Sequence, residues 1–362
     1  MRGAENHQES MFSYVSTETR IPLNHPLRAV RKMADAVLLE MDGTFEEQYS
    51  IQGRPSIPPE YLIRATLLQI LYTVRSERLL TEQLDYNLLF RWFVGLSVDE
   101  AVWNHSTFSK NRERLLTMSV ANEFFARVVE MAREKDLLSD EHFSVDGTLI
   151  ESWASLKSFR PKDEPKGPEG GSRNPFVDFR GEKRKNDTHA SQTDPEARLA
   201  TKGSGQTAKV CHSAHVLMEN RHGLAVDCEV ETPSGRAERD AALQMMARCP
   251  GETPKTVSAD KGYDHADFVE GARAAGFTPH VAQNTSRGRS SHIDGRTVRH
   301  EGYAVSQKIR KRIEEIFGWV KTVGGMRKMR MVGQLNTEGY LLYALAAFDM
   351  VRMRNILSAQ MA

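Results

Sequence analysis

HFSVDGTLIES, residues 142–152, reads as a short strand that delivers Asp146 into a Gly-Thr turn. An acidic residue at the end of a buried strand is costly unless something cationic meets it. Three partners would serve: a metal ion, a nearby arginine, or a phosphoryl group carried on the aspartate itself.

The phosphoryl reading belongs to phosphatases of the haloacid-dehalogenase type, which carry Asp-x-Asp-Gly-Thr. DGT occurs twice here, at Asp42 and at Asp146. That chemistry requires a nucleophilic carboxylate two residues earlier. Before Asp42 stands Glu40, a longer arm than aspartate, and before Asp146 stands Ser144, which has no carboxylate. The reading is set aside.

A second acid stands in TVSADKGYDH, residues 256–265, where strand-like residues lead to Asp260, a glycine turn and a helix. Asp146 and Asp260 are thus both expected at the C-terminal ends of strands, where side chains from different strands converge on one crevice. Two carboxylates held close repel each other, and a divalent cation relieves the repulsion. A ligand set made only of oxygens favours Mg²⁺ or Mn²⁺ over zinc.

The third acid is expected on a helix beside those strand ends. In SQKIRKRIEEIFGWVKTVGG, residues 306–325, the helical period places Ile309, Ile313, Ile316 and Val320 on one apolar stripe. One residue further round, Arg310, Glu314, Phe317 and Lys321 fall within about 60° of one another. A carboxylate flanked by two cations on one face suits a site that binds metal and phosphodiester together. Glu315 lies on the opposite flank, with Trp319. Register with Arg310 and Lys321 favours Glu314.

Around these acids the chain changes texture near residue 141. From Pro26 to about residue 135 the pattern is helical. PPEYLIRATLLQILYTVRSER begins at Pro58 and Pro59, a natural helix start, and TEQLDYNLLFRWFVGL follows with Thr81 as N-cap and Gly95 as stop. HSTFSKNRERLL opens another helix, capped by Ser106 or Thr107, with a basic face of Lys110, Arg112 and Arg114. After residue 141 the order is strand, insertion, strand, strand, helix, strand, helix, strand, helix, which predicts an α/β fold with a mixed sheet and helices on its faces. Residues 157–209 interrupt it with Pro, Gly and charge and are expected to be a long loop or mobile insertion. The expected organisation is a flexible N-terminus over 1–20, an all-helical domain over 21–136, a catalytic domain over 137–330 and a C-terminal helix over 331–362.

Composition narrows the class. In 362 residues, 49 Lys and Arg nearly balance 48 Asp and Glu, so only local clustering speaks about partners. Cys211, Cys228 and Cys249 are odd in number and widely spaced, which argues against a disulfide framework and fits a reducing cytoplasm. No apolar run approaches the ~20 residues that span a bilayer, so no membrane partner is expected.

In this order, FSVDGTLIES, ADKGYD and RIEEIFGWVK, together with the helical segment RPSIPPEYLIRATLLQILYTVRSERLLTEQLDYNLLFRWFVGL, resemble the DDE transposases of bacterial insertion sequences, of the IS-five type within the IS-four superfamily. Their third motif, Tyr-x2-Arg-x3-Glu-x6-Lys, maps onto Arg310, Glu314 and Lys321, with Gln307 in place of the tyrosine. The resemblance implies an RNase H-like catalytic domain and cut-and-paste transposition by two Mg²⁺ ions, with Mn²⁺ able to substitute. It implies that Asp146 bridges both ions, and that Asp260 and Glu314 each complete one. Arg310 and Lys321 would hold DNA phosphates. The partners implied are double-stranded DNA, as element ends and target, and a second copy of the chain on paired ends. A non-catalytic DNA-binding descendant that keeps the fold is the alternative.

Charge geography favours a polyanion. Between Arg287 and Arg330, twelve Lys and Arg stand against Asp294, Glu301, Glu314 and Glu315, a local net of +8 in a nearly neutral chain. Helix 105–116 reads equally as a base-reading helix and as the basic outer face of a bundle. Tyr86, Phe90, Trp92 and Phe93 read as core rather than as a base-stacking platform. Cys211, His212 and His215, with His222 nearby, do not read as a zinc site, because adjacent residues of a strand point to opposite faces.

Overall fold

A computed structural model describes residues 14–48, 56–117, 119–162, 184–201, 203, 205–249, 254–286 and 289–360. The expected frayed residues 1–13 and the centre of the insertion, 163–183, lie outside the described residues.

The first half is helical, as its period predicts: α1 (Thr17–Arg20), α2 (Leu27–Glu40), α3 (Asp42–Gln48), α4 (Pro59–Leu71), α5 (Glu77–Tyr86), α6 (Leu88–Val94), α7 (His105–Thr117) and α8 (Val120–Glu134). Pro59 opens α4 as expected. The run after Arg75 is two helices rather than one. Ser76, not Thr81, caps α5, its hydroxyl accepting the Leu79 N–H at 3.1 Å. Asn87 then ends that helix and caps α6 by accepting the Leu89 and Phe90 N–H groups. Gly95 stops α6 at φ +105°, a conformation glycine reaches without steric cost. Asn104 caps α7 by accepting the Ser106 N–H at 2.9 Å. Asp42, in the other DGT, opens a helix rather than ending a strand.

The second half begins with β1 (His142–Glu151). In the insertion follow β2 (Phe159–Pro161), β3 (His189–Ser191) and β4 (Arg198–Ala200), then β5 (Lys209–Glu219), β6 (Ala225–Glu231) and α9 (Ala237–Arg248). β7 (Lys255–Ala259), α10 (Ala266–Ala274), β8 (Phe277–Val281), α11 (Gly295–Arg299), α12 (Glu301–Ile309), α13 (Ile313–Thr322) and α14 (Gln334–Gln360) complete the chain. β1 lies at the centre of the sheet, antiparallel to β5 and parallel to β7. β6 pairs antiparallel with β5, and β8 parallel with β7. The resulting order, β6-β5-β1-β7-β8 with three antiparallel strands followed by two parallel ones, is that of the RNase H-like fold.

The described ends of the insertion are ordered, contrary to the loop expected there. β2 and β3 pair with each other, and β4 extends the sheet along the outer edge of β5. Phe159, Ala197 and Val210 bury a small core beneath them with Ala154. Short β-strands inside a Pro- and Gly-rich segment give too little periodicity to be read in advance.

Alternation along β1 assigns its two faces. Phe143 and Val145 pack with Leu217, Val257 and the apolar side of α9 and α10. Ile150 packs on the other face with Ala214, Val216 and the apolar stripe of α13 and α14. That second core is continuous with the one inside α2, α4, α7 and α8, because α14 lies in both. Phe90, Trp92 and Phe93 are buried in it, and only Tyr86 is exposed.

Candidate active site

Asp146 is not at a strand end: β1 runs on through Gly147 and Thr148, contrary to the turn expected there, because these residues stay paired with β5. Asp146 is thus the fifth of ten strand residues and points to the α13 side with Thr148. Its Oδ1 accepts the Gly147 N–H at 2.8 Å. Asp260 follows the last residue of the parallel neighbour β7, and its Oδ1 accepts the Gly262 N–H at 2.6 Å, which shapes the turn expected there. Glu314 stands exposed in the first turn of α13.

These three acids are electrostatic neighbours. Burial, and then the charges of Asp260 and Glu314, push the Asp146 carboxyl up to about 6, against the pull of the Gly147 N–H and the Arg310 guanidinium. The sequence separations are large, and the fold brings the groups within mutual influence. As they stand they form an open cluster: among the described residues, no three His, Cys, Asp or Glu side chains are gathered closely enough to enclose a metal ion. An oxygen-only donor set suits a hard divalent cation.

The flanking cations also gather on this side. Lys321 donates from Nζ to Thr148 Oγ1 at 2.5 Å, on the same face of β1 as Asp146. Arg310 lies at a one-turn 3-10 break, Arg310–Arg312, between α12 and α13, so the stripe predicted on one straight helix crosses a joint. Gln307, in the tyrosine position, donates to the His280 carbonyl on β8. Glu315 pairs with Arg352 of α14 at 3.2 Å, on the flank away from Asp146.

The basic face of α7 needs correction. Lys110 and Arg114 are exposed one turn apart, but Arg112 is only 4% exposed. Its guanidinium donates to Glu77 at 2.5 Å and to Gln69 at 3.3 Å inside the helical half. Two residues correspond to about 200° around a helix, so Arg112 faces away from the other two. The basic run 287–330 is also divided. Arg312 ties down the carbonyls of Asn220, Arg221 and His222, and Lys328 pairs with Glu151. Arg289, Arg296, Arg299, Lys311 and Arg327 are exposed, and Arg287 lies outside the described residues. Two of the histidines not read as a zinc site have other partners: His212 Nε2 pairs with Asp194 Oδ2 at 3.0 Å, and His222 Nδ1 meets the Leu137 carbonyl.

The strand order defines a protein of the RNase H-like class, with Asp146 on its central strand and Asp260 at the end of the parallel neighbour. Two family models match the chain, a transposase domain (DUF772) over residues 15–114 and a transposase DDE domain over residues 177–350, together about three quarters of its length. The chain belongs to the DDE transposases, enzymes that cleave and rejoin DNA with the help of metal ions. No curated protein is close enough to match. Among solved structures, a piggyBac transposase synaptic complex with hairpin DNA is 9% identical with a TM-score of 0.42, covering 95% of this chain and 78% of that one. A Mos1 paired-end complex is 11% identical with a TM-score of 0.21, covering 76% and 82%. A Mos1 mariner paired-end complex with Mn is 12% identical with a TM-score of 0.20, covering 81% and 87%. Likenesses this distant add no weight to what the family models and the strand order carry.

Proposed function

We propose that Asp146, Asp260 and Glu314 are the catalytic acids of this transposase and hold two Mg²⁺ ions, for which Mn²⁺ can substitute. The observation that carries this reading is that Asp146 and Asp260 each stand two residues beyond the last pair of the central parallel strands, Ser144 and Ser258, while Lys321 ties α13, the helix of Glu314, to Thr148 on the Asp146 face. Bound there, the cations would supply charge stabilisation at the scissile phosphate and a more acidic nucleophile.

The chain's own side chains do the rest. Arg310 offers a bidentate fork to a phosphate, and Lys321, steadied by Thr148, places a point charge beside Asp146. Lys110 and Arg114 hold the DNA backbone on the outer face of α7. Water attacks the phosphorus at an element end and releases a 3′-hydroxyl. That hydroxyl then attacks a target phosphodiester, one bond forming as one breaks, so a single site serves both steps. The substrate is double-stranded DNA, the active species is at least a dimer on paired ends, and the element is of the IS-five type. Among the described residues no helix is long and apolar enough to cross a membrane.

The test uses purified full-length protein and DNA carrying the element's own ends. Asp146→Asn, Asp260→Asn and Glu314→Gln are each expected to abolish Mg²⁺-dependent cleavage and joining while retaining end binding and melting temperature. Strand transfer retained by all three variants would refute the assignment.

A further inference from the structure

We propose that a buried chain of hydrogen bonds, running from Ser258 through Ser144 and Asn220 to Arg312, positions the three acids; this rests on the carboxylate site proposed above. Ser144 stands two residues before Asp146 on β1, and Ser258 two residues before Asp260 on β7. Arg312 stands two residues before Glu314, at the joint that opens α13. Two residues return a strand to the same face, so both hydroxyls lie on the face that carries the acids. The Ser258 hydroxyl meets two groups of β1, Ser144 Oγ at 2.8 Å and the Phe143 carbonyl at 3.1 Å. Ser144 donates to Asn220 Oδ1 at 2.6 Å, in the turn between β5 and β6. The Asn220 carbonyl accepts from Arg312 at 3.4 Å, and the same guanidinium reaches the carbonyls of Arg221 at 3.4 Å and His222 at 3.2 Å. The Asn220 N–H donates to the His142 carbonyl at 2.9 Å, which fastens the turn to β1 as well.

The place of this chain assigns it to the acids. Pairing between β1 and β7 ends at Ser144 and Ser258. Beyond that pair no strand register sets Asp146 against Asp260. The link between the two serines stands at this fork and fixes the height of one strand against the other. Ser144 and Ser258 are 0% and 1% exposed, and Asn220 is 5% exposed. An apolar pair would fill the same space without hydroxyls to desolvate and satisfy. What the serines add is direction: connected polar groups in a dry interior hold one arrangement, where apolar side chains slide. Arg312, half-buried at the far end, carries that arrangement to the start of the helix that bears Glu314. One chain thus spans all three elements that carry an acid.

Hydrogen bonds of this kind also stabilise a fold, and the test separates the two roles. Ser144→Ala, Arg312→Gln, Arg312→Lys and the double variant Ser144→Ala/Arg312→Gln are compared with wild type as full-length proteins. The measurements are the single-turnover rate of end cleavage, end binding, melting temperature, and Mn²⁺ binding without DNA by the electron paramagnetic resonance of free Mn²⁺. Ser144→Ala and Arg312→Gln are each expected to lower the cleavage rate and the Mn²⁺ affinity about tenfold, the scale on which partners of metal ligands act, with end binding unchanged. Arg312→Lys should recover part of both, since an ammonium can still reach a carbonyl of the turn. The double variant should lose no more than the worse single one, because both changes open the same chain. Arg312 is partly exposed, so its variants keep the inference testable should a buried serine variant fail to fold. Wild-type rate and Mn²⁺ affinity in the single variants would overturn the inference, as would losses that multiply in the double. A lowered melting temperature with unaltered rate and affinity would make the chain a brace of the fold alone and overturn it too. Each of these outcomes beside an inactive Asp146→Asn leaves the three-acid site standing. Cleavage retained by Asp146→Asn, Asp260→Asn and Glu314→Gln would refute that site itself.

Discussion

At Gly147 the backbone of β1 passes so close to the His215 ring that no larger residue fits, and that contact helps to seat the neighbouring Asp146. A methyl group there would press on a fully buried imidazole at 2.6 Å. Gly147→Ala is expected to cost about 1–3 kcal/mol of stability, as overpacking does. It should lower cleavage further than that loss explains, because Asp146 shifts with the strand; thermal melts and end-cleavage assays on the same preparation check both. Glu314 and Glu315 offer a contrast one residue apart. Glu315→Gln loses a surface pair with Arg352, worth at most about 1 kcal/mol, and should cleave normally, whereas Glu314→Gln should not cleave. An inactive Glu315→Gln beside an active Glu314→Gln would move the third acid by one position. Asp260 could be placed in advance, because a short apolar run before Asp-Lys-Gly reads as a strand end. Asp146 could be placed on a strand but not at its middle, because Gly-Thr reads as a turn where pairing with β5 continues the strand. Arg112 could not be placed: an inward arginine held by Glu77 has the same letter as an outward one, and its partner lies 35 residues away.

The long C-terminal element α14 carries its own titration. Glu338 lies half-buried against β6, where Arg248 holds Asp227 at 2.9 Å and Glu229 at 2.5 Å. Burial and the Glu229 charge push the Glu338 carboxyl up to about 7 from its ordinary 4.5. The folded state therefore holds this proton more tightly than the unfolded chain. The stability it contributes is full below about 4.5 and is lost as pH rises through about 7. Denaturant unfolding at pH 5 and pH 8 should show wild type losing roughly 2 kcal/mol more than Glu338→Gln over that interval. Equal losses in both would place the pH dependence elsewhere. Further along α14, Asp349 is buried, accepts the Ala225 N–H at 3.0 Å, and is held strongly toward its neutral form by burial. Elements such as α13 could be placed from their period. α14 could be placed as a helix, but its partners could not, because a helix apolar on nearly every side shows no preferred face.

At the scale of the molecule, the change of texture near residue 141 marks a change of secondary structure and not a gap in packing. α14 is the shared wall. Phe124 of α8 meets Tyr343 at 5.5 Å between ring centroids, and Gly339 approaches α7 so closely that a Cβ would lie 2.4 Å from the Leu116 carbonyl oxygen. Two polar ties span the same junction: Thr73 Oγ1 donates to the Val323 carbonyl at 2.9 Å, and Arg330 donates to that of Val74 at 3.3 Å. Leu341, Leu342, Tyr343, Leu345 and Met350 are all nearly or fully buried. Each large apolar side chain returned to water costs about 1.5–3 kcal/mol, so uncovering even a few approaches the roughly 5–15 kcal/mol that hold a domain together. Residues 137–362 expressed without the helical half are therefore expected to be insoluble, or to bind a hydrophobic dye and lack near-ultraviolet dichroism. Co-expression with residues 14–136 should restore a soluble complex, and Gly339→Ala should weaken that complex by forcing α14 away from α7. A fragment 137–362 that is monomeric and unfolds cooperatively would show that α14 can bury its surface without α8 and α7. The helical half would then be an attachment to the catalytic fold rather than one wall of its core.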